Sequence, residues 1–202
     1  MSVVLVTGAT GFLGAEAVVR LLQQGHEVAA LVRGRDKAEA DLRLHRAWWD
    51  FPELREAIGP KVRVIVGDVR REQITVDPND REWLVRNVTH ILHTAADLRL
   101  NAPQAELDET NVKGTLNLLR LAEEVQKDHG LERFVHTSTA YIAGERSGRI
   151  DEDSFDASAV VENNYERSKQ KGEAEVRRFT DRLPITILRP GMVVGDSKTG
   201  RV

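Results

Sequence analysis

An apolar run, Val3-Val4-Leu5-Val6-Thr7, leads directly into three glycines at every third position, Gly8, Gly11 and Gly14, and a helical pattern follows. Few folds accommodate that order. It specifies a buried strand, a tight turn and a helix N-terminus. Glycine allows the turn conformations and close approaches that a Cβ forbids. The unpaired N–H groups of the first helical turn, together with the helix dipole, favour an anion. The segment Gly8, Thr10, Gly11, Phe12, Leu13 and Gly14 therefore points to the pyrophosphate of a dinucleotide, with the Phe12 and Leu13 side chains expected to pack the helix. The spacing is G-x-x-G-x-x-G rather than G-x-G-x-x-G, and a ligand-free glycine turn can share it, so the rest of the chain must carry the argument.

The same alternation continues. Strands are predicted at 3–6, 28–32, 62–66, 90–94, 134–137 and 185–188, and helices at 12–24, 36–47, 52–58, 80–86, 104–128 and 162–181. The strand runs are short and mostly continuous in hydrophobicity, as expected of strands covered on both faces by helices. The helix at 104–128 carries Leu116, Leu119 and Ala122, with Val112 and Leu118 nearby, as an apolar stripe at helical spacing. This β-α-β repetition predicts a Rossmann-type, doubly wound parallel α/β sheet. Gly144 to Asp156, rich in glycine and acid, reads as an exposed loop. Only twelve residues follow Pro190, which leaves no room for a second lobe.

Composition narrows the function. The 202 residues suffice for one well-packed domain. With 29 basic and 32 acidic residues the formal charge is −3, which does not suit a nucleic-acid binder. The absence of cysteine excludes disulfides, thiolate metal sites and a cysteine nucleophile. No apolar stretch reaches membrane-spanning length, so a soluble cytoplasmic protein is expected. His90, His93 and His136 fall at or near strand ends without ligand spacing, and no metal site is expected.

The second strand ends Leu31-Val32-Arg33-Gly34-Arg35. An NAD site usually places an acid there to accept from the ribose hydroxyls. Arg33 and Arg35 instead suit a 2′-phosphate, which a guanidinium binds bidentately. NADP(H) is thus favoured over NAD(H). In Gly67-Asp68-Val69, Asp68 is positioned either to accept from the adenine amino group or to cap its own turn.

Tyr165 and Lys169, four residues apart, share one helix face. A lysine ammonium beside the phenol would lower its pKa and fit it for proton transfer. Thr137, Ser138 and Thr139 end the fifth strand, at the sheet edge where open α/β folds bind ligands. Thr137 and Thr139 are expected on one face with Ser138 opposite.

Together these segments resemble the extended short-chain dehydrogenases/reductases. The likeness runs from Thr7–Gly14 through Gly67-Asp68-Val69, His93-Thr94-Ala95-Ala96 and Asn111-Val112-Lys113-Gly114-Thr115 to Tyr165–Lys169 and Leu188-Arg189-Pro190-Gly191. The resemblance implies that Thr139 is the catalytic hydroxyl, Tyr165 the general acid/base and Lys169 the residue that tunes it and holds the nicotinamide ribose. It implies that Asn111 supports the active site and that Val69, Ala95 and Ala96 line the cofactor channel. Leu31-Val32-Arg33, the helical insert before the third strand, His93–Leu100 and Val193–Ser197 are most similar to the fatty acyl-CoA reductase and thioester reductase branch.

The expected activity is NADP(H)-dependent reduction of a carbonyl, such as an acyl thioester, with a small-molecule or carrier-bound substrate. Two rivals share the motifs: an NAD-dependent sugar-nucleotide epimerase or dehydratase, and a dinucleotide-binding sensor or scaffold without turnover. Members of the family continue into a substrate-binding lobe, so residues 1–202 are expected to form the cofactor domain alone. The family resemblance also allows a homodimer through the helices at 104–128 and 162–181.

Overall fold

The computed structural model describes residues 2–201. Six parallel strands form one sheet: β1 (Val3–Thr7), β2 (Glu27–Val32), β3 (Val62–Val66), β4 (His90–His93), β5 (Arg133–Thr137) and β6 (Ile185–Leu188). Their order is β3-β2-β1-β4-β5-β6. The order reverses between β1 and β4, and the crevice beyond their carboxyl ends is where open sheets of this kind bind ligands.

Helices α1 (Phe12–Gln23), α2 (Lys37–Ala47) and α3 (Pro52–Ala57) are joined by α4 (Pro78–Asn87), α5 (Gln104–Asp108), α6 (Gly114–Asp128) and α7 (Asn164–Arg177). Val4, Val6, Val28, Ala30 and Val64 pack with Val18 of α1 and Leu44 of α2. Leu5, Ala29, Ile65, Ile91 and Phe134 pack against Leu118, Leu119 and Val176 of α6 and α7. Adjacent strand residues thus bury on opposite faces, which explains the continuous apolar runs. Strand β6 differs: it is one of the two edge strands, and Leu188 is exposed.

The helix expected across 104–128 is interrupted. Residues Glu109–Lys113 form a π-helical turn between α5 and α6. Asn111 sits in this turn, its carbonyl receiving the Thr115 hydroxyl at 2.8 Å. Helix α7 comes so close that a Cβ at Gly172 would overlap the Asn111 carbonyl oxygen. The interruption therefore coincides with the close contact between α7 and the π turn. Apolar periodicity cannot report it, because the stripe continues on either side.

Candidate active site

The glycine turn is held by sterics. Gly8 has φ +74°, and a Cβ there would lie 2.7 Å from the Ala95 amide nitrogen. A Cβ at Gly14 would overlap the Gly8 carbonyl oxygen. The N-termini of α2, α4 and α7 are capped by the side chains of Asp36, Asp77 and Asn163. That of α1 begins at Gly11 with no side-chain cap. Its first-turn N–H groups are thus available to an anion. Trp48, fully buried at the end of α2, donates its indole N–H to the Ala9 carbonyl at 2.8 Å. Nothing in the spacing of the sequence connects Trp48 to the turn.

A cleft of about 1010 Å³ opens from this turn. Its walls include Thr10, Val69, Ala95 and Ala96 together with Thr139, Tyr165 and Lys169. Phe12 and Leu13 depart from the packing expectation: both line the cleft, and Leu13 is exposed. They fall at the start of α1, beside the turn, before the helix reaches the core-facing positions Ala15 and Val18.

Arg33 also lines the cleft and makes no side-chain hydrogen bond or ion pair among the described residues. Arg35 does not join it. Its guanidinium pairs with Glu39 of α2 at 2.7 Å, an i,i+4 contact that turns it away. Arg43, on the same helix, reaches the cleft instead, a role that a solvated-looking helix position did not signal. Asp68 caps its own turn, accepting from the Arg70 amide at 3.0 Å and pairing with the Arg70 guanidinium at 2.6 Å. Burial opposes its ionisation, yet Arg70 holds its carboxyl below the ordinary range.

Thr139 is nearly buried, and its hydroxyl accepts from the Tyr141 amide at 3.3 Å, capping a short 3₁₀ turn over Ala140–Ala143. Ser138 is buried as well, and β5 ends at Thr137 rather than continuing through the hydroxyl run. Lys169 is buried and donates to the Thr137 carbonyl at 2.7 Å. Burial lowers its pKa to about 8, although Glu173 one turn on works to raise it. The Glu173 carboxyl is itself fully buried and bound by Arg177 and Arg189.

The expected tuning of the tyrosine is not present. Burial, assisted by Glu166, pushes the Tyr165 phenol above its ordinary value. No hydrogen bond joins Tyr165 to Lys169 or Thr139 among the described residues; the lysine donates to the Thr137 carbonyl. The three side chains share the cleft without forming a connected triad. The Asn111 side chain, by contrast, is fully engaged: Oδ1 accepts from the Asp97 amide at 2.8 Å, and Nδ2 donates to the Asp97 carbonyl at 2.9 Å and the Ser168 hydroxyl at 2.8 Å.

No metal-binding cluster of His, Cys, Asp and Glu occurs among the described residues. No helix among them is long and apolar enough to cross a membrane.

The sheet order, the glycine turn and the tyrosine–lysine helix define an extended short-chain dehydrogenase/reductase. Residues 6–202 match the NAD-binding family model described as "Male sterility protein", and the chain belongs to that family. It is 32% identical to the L-2-aminoadipate reductase large subunit of Penicillium chrysogenum, over 98% of this chain and 15% of that protein. It is 27% identical to the fatty acyl-CoA reductase wat of Drosophila melanogaster, over 95% of this chain and 43% of that protein. The terminal R domain from the myxalamid PKS-NRPS biosynthetic pathway superposes with a TM-score of 0.86 at 29% identity, covering 100% of this chain and 51% of that one. The chain thus spans about half of that reductase domain and less of the two curated relatives.

Proposed function

We propose that residues 1–202 are the cofactor-binding part of an NADP(H)-dependent reductase of acyl thioesters. The observation that carries this reading is the meeting of Thr139, Tyr165 and Lys169 with the uncapped glycine turn in one cleft. Relatives named as fatty acyl-CoA and aminoadipate reductases support the substrate class. A CoA or carrier-bound thioester, acted on in the cytoplasm, fits this reading.

The cofactor fits the site: the uncapped N-terminus of α1 behind the glycine turn suits a pyrophosphate, and Arg33 with Arg43 suits a 2′-phosphate. When bound, the nicotinamide supplies hydride to the carbonyl carbon. Tyr165, kept protonated by burial, gives its proton to the carbonyl oxygen. The Thr139 hydroxyl donates to the same oxygen as charge develops on it. The Lys169 ammonium, largely charged at neutral pH, holds the ribose hydroxyls. Asn111 keeps the loop at Asp97 and the Tyr165 helix in register. The product hemithioacetal collapses to aldehyde and thiol. One thioester, one NADPH and one proton therefore give one aldehyde, one thiol and one NADP⁺.

The test is turnover of an acyl-CoA by the complete enzyme, following NADPH consumption and thiol release together. Equal amounts of NADP⁺ and free thiol are expected. NADPH oxidation without thiol, or none with any thioester, would overturn the reading.

A further inference from the structure

A buried hydrogen-bond path connects the glycine turn to the catalytic helix, and its central member is a histidine that the proposed chemistry does not use. The Ala95 amide donates to the Thr7 hydroxyl at 3.3 Å, and Thr7 Oγ1 lies 2.7 Å from His93 Nδ1. His93 Nε2 lies 3.0 Å from Thr115 Oγ1. Thr115 donates to the Asn111 carbonyl at 2.8 Å, Asn111 Nδ2 donates to Ser168 Oγ at 2.8 Å, and Ser168 donates to the Tyr165 carbonyl at 2.7 Å. Thr7, His93, Thr115, Asn111 and Ser168 are all buried.

The directions of these bonds follow from valence. The single hydroxyl hydrogen of Thr115 goes to the Asn111 carbonyl, so Thr115 accepts from His93 Nε2–H. Burial, with a smaller effect from Lys169, lowers the His93 pKa to about 3, so the ring is neutral and Nδ1 is its acceptor. Nδ1 then takes the Thr7 hydroxyl hydrogen, leaving Thr7 lone pairs for the Ala95 amide. Every donor along the path has one acceptor. An apolar contact of the same shape would fill this space at comparable stability, whereas a satisfied polar chain fixes one arrangement.

We propose that His93 is a positioning residue, holding β4 and the strand end before Gly8 in register with the π turn at Asn111 and, through Ser168, with the helix that presents Tyr165. It rests on the reductase reading for its catalytic consequence, but the hydrogen-bond path stands on the distances between its members and does not depend on that reading.

His93→Leu and Thr115→Val break the path at two points, and His93→Gln offers an amide that can accept from Thr7 and donate to Thr115. In the complete enzyme each break should lower kcat about tenfold, or ~1.4 kcal/mol. The double variant should fall little further, because the two act as one chain. NADPH affinity should stay within about threefold, and His93→Gln should recover most of the rate. Additive losses, losses confined to cofactor affinity, or unchanged rates would overturn the proposal. If His93→Leu does not fold, Thr115→Val decides by the same criteria. A second arm needs no turnover: imidazole ¹⁵N spectra of the wild-type chain should show a neutral His93 protonated on Nε2. An Nδ1–H or charged ring would overturn the path as drawn. A wild-type enzyme that reduces no thioester but shows the Nε2–H ring would overturn the reductase reading and leave the path intact.

Discussion

The two walls of the cleft are built by different physics. On the glycine side, the backbone decides. A Cβ at Gly14 would overlap the Gly8 carbonyl, and one at Gly8 would crowd Ala95, so the shape of the turn is fixed by its own backbone. On the side of Tyr165, side chains from the turn after β5 and from α7 share the cleft without a hydrogen bond among them: Thr139 caps a turn and Lys169 holds a carbonyl. One wall is preformed by exclusion. The other is poised by hydrogen bonds that binding can exchange.

The sharpest way to separate the walls is to remove one oxygen from the catalytic side. Tyr165→Phe should lower kcat by roughly a thousandfold, within the span typical of a lost general acid. NADPH affinity, measured by fluorescence titration, should change less than about threefold, because the glycine wall is untouched. Retained turnover would remove Tyr165 from the chemistry. The opposite change is Gly14→Ala. Its Cβ must displace the Gly8 carbonyl, so NADPH affinity should fall about a hundredfold, or ~2.7 kcal/mol. Wild-type affinity in this variant would mean that the turn yields, and the contrast with the catalytic wall would fail.

The same division governs what the sequence makes legible. The glycine wall depends on residues close in the chain, so its spacing is visible in Val3–Gly14, and the parallel sheet follows from continuous apolar runs. Tyr165 and Lys169 are visible because they share one helix. Trp48 is not, since its bond to Ala9 joins residues 39 apart. Nor is the His93 path, whose links span 86 and 22 residues. Arg35 misled because a local i,i+4 partner, Glu39, competes for it. The π turn escapes notice because the apolar stripe runs through it unbroken.

The polar layer behind the catalytic wall also makes that wall sensitive to acid. His93 and His136 are buried on neighbouring strands, their ring centres 5.5 Å apart. Burial first, and Lys169 second, holds both below the ordinary histidine range. A base with a lowered folded pKa favours the folded state fully above its unfolded value, near 6.5, and that contribution is lost as the pH falls below it. Lys169 adds no slope below pH 7, being protonated in both states. Unfolding free energy from urea titrations should therefore drop between pH 7.5 and 5.5, by about 1.4 kcal/mol from His93 alone, with His136 adding in the same direction. His136→Phe should lessen the drop. A flat profile would show that the rings take up protons without unfolding.

The smallest expected effect tests whether the preformed wall also selects its ligand. Arg33 lines the cleft with no partner among the described residues, while Asp68 and Asp97 nearby are each paired with an arginine, Arg70 and Arg99. A free guanidinium beside satisfied carboxylates leaves a net positive charge where β2 ends, which a ribose hydroxyl does not need and a phosphate does. Arg33→Ala should weaken NADPH about tenfold, or ~1.4 kcal/mol, at the lower edge of a charged hydrogen bond because the site is open to solvent. NADH affinity should not move, and the difference should shrink at high salt. A residual preference for NADPH in Arg33→Ala would assign the remainder to Arg43, and Arg33→Ala with Arg43→Ala should then abolish it. Equal loss for both cofactors would instead mean that Arg33 holds the loop rather than reads the phosphate.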